Sequence, residues 1–113
     1  MGELTQAQFD DAVQRGLHDL TVKPRARAAR YDRASGCIVI DLLNGATFSF
    51  PATLAQGLEE ATAEQLEAVE IAGAGFGLHW EDLDADLTVE GLLSGRFGSA
   101  RYMAERFGRD WDS

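Results

Sequence analysis

The chain has 113 residues, 45% of them hydrophobic and 9% aromatic, with ten Lys and Arg against nineteen Asp and Glu for a net charge of −9. This composition excludes disorder, and the length suits a single domain over residues 1–113 with one core, since a domain of this size buries about two thirds of the surface its unfolded chain exposes. No apolar run approaches the ~18 residues of a membrane span, and the acidic start MGELTQAQFDDAVQRGLHDL lacks the positive charge and continuous apolar stretch of an export signal.

The first predicted element is an N-terminal helix within residues 1–20. Thr5 and Gln8 form a capping box, and Phe9, Ala12, Val13, Leu17 and Leu20 recur at helical spacing. Pro24 ends it. Arg25 to Tyr31 reads as a strand with Ala26 and Ala28 inward and Arg25 and Arg27 outward. After a turn at Asp32 to Gly36, the β-branched run Cys37 to Leu43 reads as a central strand. Cys37, the only cysteine, can form no intramolecular disulfide; within CIVIDLL it reads as a buried, inert thiol, suited to a reducing cytoplasm. Asn44-Gly45 predicts a hairpin with a two-residue loop into Ala46 to Phe50, closed by Pro51.

Ala52 to Glu60 is expected to be a short helix or turn. Thr62 and Gln65 form a second capping box, opening a helix through about Ala68. Val69 to Ala72 and Gly77 to Trp80 read as two short strands joined across Gly73-Ala74-Gly75-Phe76. An acidic loop follows, then a short helix from Val89 to Leu93 with Thr88 or Asp86 as its N-cap and Gly95 past its end. The last predicted helix, Ser99 to Phe107, falls in a C-terminal extension, residues 96–113. The fold class expected is α+β, a small antiparallel sheet of four to five strands with short helices on one face.

Charge is segregated along the chain. Between Ala34 and Gly95 there are eleven acids and no Lys or Arg, while all ten basic residues lie in the flanks. Lys23, Arg25, Arg27, Arg30 and Arg33, with Tyr31 among them, are the one nucleic-acid candidate, but a chain of pI near 4.5 repels a polyanion. An acidic protein surface suits these arginines better, because the guanidinium fork pairs carboxylates bidentately.

Three chemical motifs in Gly73 to Gly95 each lack a required residue. Asp82-Leu83-Asp84-Ala85-Asp86 begins like a calcium loop, but Leu87 stands where the loop needs Gly and Leu93 where it needs a bidentate Glu. The glycines from Gly73 to Gly77 lack the spacing and the Lys-Ser/Thr of a phosphate loop. His79 could act as a base oriented by Glu81 or Asp82, yet His79 and Trp80 are neighbours on a strand and point to opposite faces. His18 lies in the first helix region and is not expected to converge with His79 on a zinc site or triad.

Within residues 22–95, Gly75-Phe76-Gly77-Leu78-His79-Trp80, Leu83-Asp84, Asp86-Leu87 and Gly91-Leu92-Leu93 resemble the closing segment of the small bacterial domain-of-unknown-function family 2442, and Asn44-Gly45 resembles its hairpin turn. The chain departs from that pattern in having Glu81-Asp82 where the family often places a proline after Trp. The resemblance implies an α+β fold with an antiparallel sheet and no established enzymatic activity. It also implies kinship with members suspected of belonging to toxin and antitoxin pairs or fused to DNA-binding helices; no family catalytic residues carry over.

The expectation is therefore a cytoplasmic, non-catalytic protein-interaction module, an adaptor or antitoxin-like subunit, with no cofactor, metal, nucleic acid or membrane and with a protein partner or self-association. Candidate partner-binding residues are Arg25, Arg27, Arg30, His79, Trp80, Asp82 and Asp84. The alternative is a small-molecule-binding or catalytic domain with a pocket near His79 and Trp80.

Overall fold

In the computed structural model, which describes residues 23–108, the β-branched run forms β2 (Cys37–Leu42), the centre of an antiparallel sheet between β1 (Ala26–Asp32) and β3 (Thr47–Pro51). A second antiparallel sheet has the order β4 (Glu70–Ala72), β5 (Gly77–Trp80), β6 (Ala85–Thr88). Three short α-helices, α1 (Ala63–Glu67), α2 (Val89–Leu93) and α3 (Ala100–Phe107), and single 3-10 turns at Ala52–Leu54, Gly73–Gly75 and Glu81–Leu83 complete the described part. The class is the expected α+β, with six strands instead of four to five. The helix expected within residues 1–20 lies outside the described residues.

The additional strand, β6, occupies the segment expected to be an acidic loop. Its alternation is that of a half-buried strand: Ala85 and Leu87 are buried while Asp86 and Thr88 are exposed. Of the acids that mimic a calcium loop, only Asp86 is on this strand; Asp82 and Asp84 lie on the turn before it.

β1 departs from simple alternation. Ala26 pairs with Leu42 and Ala28 with Asp41, so Arg27 is an extra residue in a β-bulge. The bulge reverses the phase: Ala26 is buried, Ala28 is exposed, and Ala29 turns inward opposite Ile40. The loop between β2 and β3 also differs from expectation. Leu42 N–H donates to Ala46 C=O at 2.8 Å, leaving Leu43, Asn44 and Gly45 as a three-residue loop. Only Gly45 among them has positive φ, at 93°. A two-residue type I′ turn needs positive φ at both central positions; here a turn followed by one left-handed residue makes the reversal. Cys37 is half-buried on the outward face and not in the core, because the inward positions of β2 are Ile38, Ile40 and Leu42.

One apolar cluster unites the sheets: Ile38, Ile40 and Phe50 from the first, Leu78, Trp80 and Leu87 from the second, with Leu66, Val89 and Leu92. Ile38 and Ile40 are 0% exposed, and each such burial contributes roughly 1.5–3 kcal/mol. β1 runs beside β4. Arg25 Nε donates to Ala74 C=O at 2.9 Å, and Gly75 comes so near that a Cβ there would lie 2.8 Å from the Ala26 carbonyl oxygen.

The helix caps follow the sequence closely. Thr62 Oγ1 accepts from Gln65 N–H at 3.2 Å while Gln65 Oε1 accepts from Thr62 N–H at 2.9 Å, a complete capping box on α1. Thr88, not Asp86, caps α2, accepting from Gly91 N–H at 3.1 Å. α3 docks through Met103, which is buried, and through Tyr102, whose hydroxyl donates to Leu54 C=O at 2.6 Å.

Candidate partner-binding site

β5 fixes the two aromatic-type side chains in opposite directions. Trp80 points into the core, 1% exposed, with Nε1 donating to Leu66 C=O at 3.2 Å. The expectation that Trp80 contacts a partner is corrected by this burial: its ring and its only donor are already engaged. His79 points outward, and its side chain is 25% exposed.

Register sets what His79 meets. Glu70 pairs with His79 and His79 with Asp86, so all three side chains share the outer face of the second sheet. Asp86 Oδ1 lies 2.7 Å from Nδ1, and Glu81 Oε2, from the turn Glu81–Leu83, lies 2.7 Å from Nε2. The hydrogen bond to Glu81, followed by that to Asp86, raises the His79 pKa from 6.5 to about 9. At neutral pH the ring is an imidazolium donating to both carboxylates, with no lone pair to accept a substrate proton. This corrects the reading of His79 as a base in a pocket, because the ring is clamped on the outer face and Trp80 is sealed on the inner one.

Asp82 and Asp84 lie on the exposed turn between β5 and β6. Asp84 has φ 48° and ψ 43°, the left-handed conformation that Asp adopts more readily than most residues, and its N–H donates to Glu81 C=O at 3.2 Å. The turn thus holds both carboxylates away from the core.

The structure separates the arginines by role. Arg25 is tied down by Ala74 and by its guanidinium over the Phe76 ring, 5.1 Å from the centroid. Arg33 donates to Glu67 at 2.6 Å and holds that carboxyl below its ordinary pKa. Arg27, on the bulge, and Arg30 are exposed. Neither makes an ion pair among the described residues.

Asp86 is the site residue that sequence reasoning placed elsewhere, as a possible helix cap. The signal for its role was present in Asp84-Ala85-Asp86-Leu87-Thr88, whose alternation makes Asp86 a cross-strand neighbour of His79. No group of three or more His, Cys, Asp or Glu among the described residues is arranged to hold a metal ion. No helix among them is long and apolar enough to cross a membrane.

Two antiparallel sheets around one apolar cluster, with a carboxylate-clamped histidine on the outer face, define a small α+β protein. The chain belongs to the family described as Protein of unknown function (DUF2442), whose profile matches residues 26–98. This is the family that the closing segment resembles. A protein of unknown function from Rhodospirillum rubrum, solved by crystallography, is 59% identical, covers 72% of this chain and 98% of its own, and superposes with a TM-score of 0.69. An uncharacterized protein from Chromobacterium violaceum, solved by solution NMR, is 31% identical, covers 93% of this chain and 95% of its own, and gives a TM-score of 0.70. No curated protein matches the chain.

Proposed function

We propose that the chain is a protein-interaction module, an adaptor or antitoxin-like subunit, that binds through two oppositely charged surfaces. One is the pair Arg27 and Arg30 on β1; the other is the pair Asp82 and Asp84 on the turn before β6. The observation that carries the reading is the division of labour among the arginines. Arg25 and Arg33 are engaged within the chain, whereas Arg27 and Arg30 make no ion pair among the described residues. Arg27 is lifted out of the ladder by the bulge. Such charges steer encounter and select partners even where each adds little affinity.

Affinity purification of the tagged chain from its native host tests this. A specific protein is expected to co-purify, with recovery reduced for R27A/R30A and for D82N/D84N while the variants keep the wild-type circular dichroism. The reading fails if no protein co-purifies above background and the chain shows no self-association, or if both double variants retain the partner fully. The antitoxin-like form further predicts that co-expression relieves growth arrest caused by the product of an adjacent gene.

A further inference from the structure

The second sheet ends at β6, and the hydrogen-bond phase fixes which way its backbone points. Val89 N–H donates to Phe76 C=O at 2.9 Å, so 76 and 89 form a hydrogen-bonded pair. Antiparallel pairs alternate, which makes Leu78 with Leu87 and Trp80 with Ala85 hydrogen-bonded pairs. Between them, Gly77 with Thr88 and His79 with Asp86 are non-hydrogen-bonded pairs. The N–H and C=O of Asp86 and the N–H of Thr88 are therefore directed away from β5. None of the three has a backbone partner in a turn, loop or neighbouring strand among the described residues.

These groups face an open groove. It has a volume of about 460 Å³ and is lined by Gln56, Asp86, Thr88, Arg96, Gly98 and Ser99, among others. A second recess of about 390 Å³ continues it past Gly57, Asp84 and Ala85. The far wall is fixed: Gln56 N–H donates to Phe97 C=O at 2.7 Å and Gln56 Oε1 accepts from Ser99 N–H at 2.9 Å. The charge along the groove is polarised. Asp84 stands at one end and Arg96 at the other, while the Asp86 carboxylate is turned onto His79.

We propose that β6 is a docking edge: an extended segment of a partner protein adds to Ala85–Thr88 as a further strand, with a basic side chain over Asp84 and an acidic one over Arg96. Strand addition of this kind takes affinity from main-chain hydrogen bonds and specificity from side chains at alternate positions. The proposal rests on the interaction-module reading and deepens it by naming the surface and the chemistry of the partner.

The test selects binders from a random decapeptide library displayed on phage, using the full chain as bait. The best peptide is then titrated into ¹⁵N-labelled protein. The expected peptides alternate β-branched residues, with Lys or Arg towards one end and Asp or Glu towards the other. Their binding shifts the amides of Asp86 and Thr88 and slows their hydrogen exchange. Asp86→Pro removes an outward N–H and leaves the β5 ladder intact; it is expected to weaken binding about tenfold, the worth of one net backbone hydrogen bond. Asp86→Asn, which loses the carboxylate as Asp86→Pro does but keeps the N–H, is the matched variant and is expected to bind about tenfold more tightly than Asp86→Pro. The NMR mapping on wild-type protein stands even if Asp86→Pro fails to fold.

Peptides whose shifts cluster at Arg27 and Arg30 and spare Asp86 and Thr88 overturn the edge proposal while leaving the interaction module standing. So does a selection that yields no binder while a partner still co-purifies. Protection of the same two amides by the protein alone at high concentration also overturns it, since the occupant is then a second copy of this chain.

Discussion

With Glu81 Oε2 and Asp86 Oδ1 each 2.7 Å from a ring nitrogen, His79 has an acceptor on both sides, and a neutral imidazole can donate to only one. The ring satisfies both by staying protonated. Its titration, followed by the imidazole Cε1 proton, is expected to have a midpoint near 9 instead of 6.5, and E81Q and D86N are each expected to lower it. A midpoint near 6.5 contradicts the clamp. The sign for stability follows from the raised value: the contribution is fully present below 6.5 and is lost as pH rises through about 9. The stability gap between wild type and H79N, measured by urea unfolding, should therefore narrow over that window. A gap that widens with pH contradicts the assignment. On the opposite face, W80F strands the Leu66 carbonyl that accepts from Trp80, at a cost of about 1–3 kcal/mol for the unpaired group. Denaturant unfolding monitored by circular dichroism measures it, and an unchanged midpoint would mean the bond contributes nothing.

Among the elements, those with short-range signals were legible before any fold was known. Thr62 and Gln65 cap α1 as their spacing requires, and T62A is expected to cost about 0.5–2 kcal/mol in thermal or chemical unfolding. The turn at Gly73 to Gly75 likewise falls where the glycines put it. What the local sequence does not carry is tertiary demand on that turn. Gly75, at φ 97°, lies against the backbone of Ala26, and backbone cannot yield as a side chain can. Gly45, at φ 93°, has open space around its missing Cβ. G45A is expected to cost about 1–2 kcal/mol for the left-handed conformation, and G75A clearly more; equal thermal shifts would refute the close approach. β6 was illegible for a different reason. Four residues that follow a run of acids and include one of their own look like solvent-loving loop until β5 is in place, and only then do Ala85 and Leu87 have a core to face. The bulge at Arg27 is equally non-local, since it exists only relative to Leu42 and Asp41.

At the scale of the whole molecule, some of the charges segregated along the chain are paired within the described residues and others stay exposed. The acids between Ala34 and Gly95 do not act alike: Glu67 is paired with Arg33, Glu81 and Asp86 clamp His79, and Asp82 and Asp84 remain on an exposed turn. The order of predicted helices and strands gives the α+β class, and the closing segment carries the family resemblance. Which charges are spent and which are presented depends on strand register and on one bulge, neither of which is a property of any local stretch. That the presented charges bind protein is the proposal on which the rest depends. It is tested most directly by calorimetric titration of the co-purified partner at increasing ionic strength, with wild type and R27A/R30A side by side. The affinity is expected to fall as salt screens the charges, and to fall less steeply for the double variant. An affinity indifferent to salt and unchanged by the substitutions would contradict it.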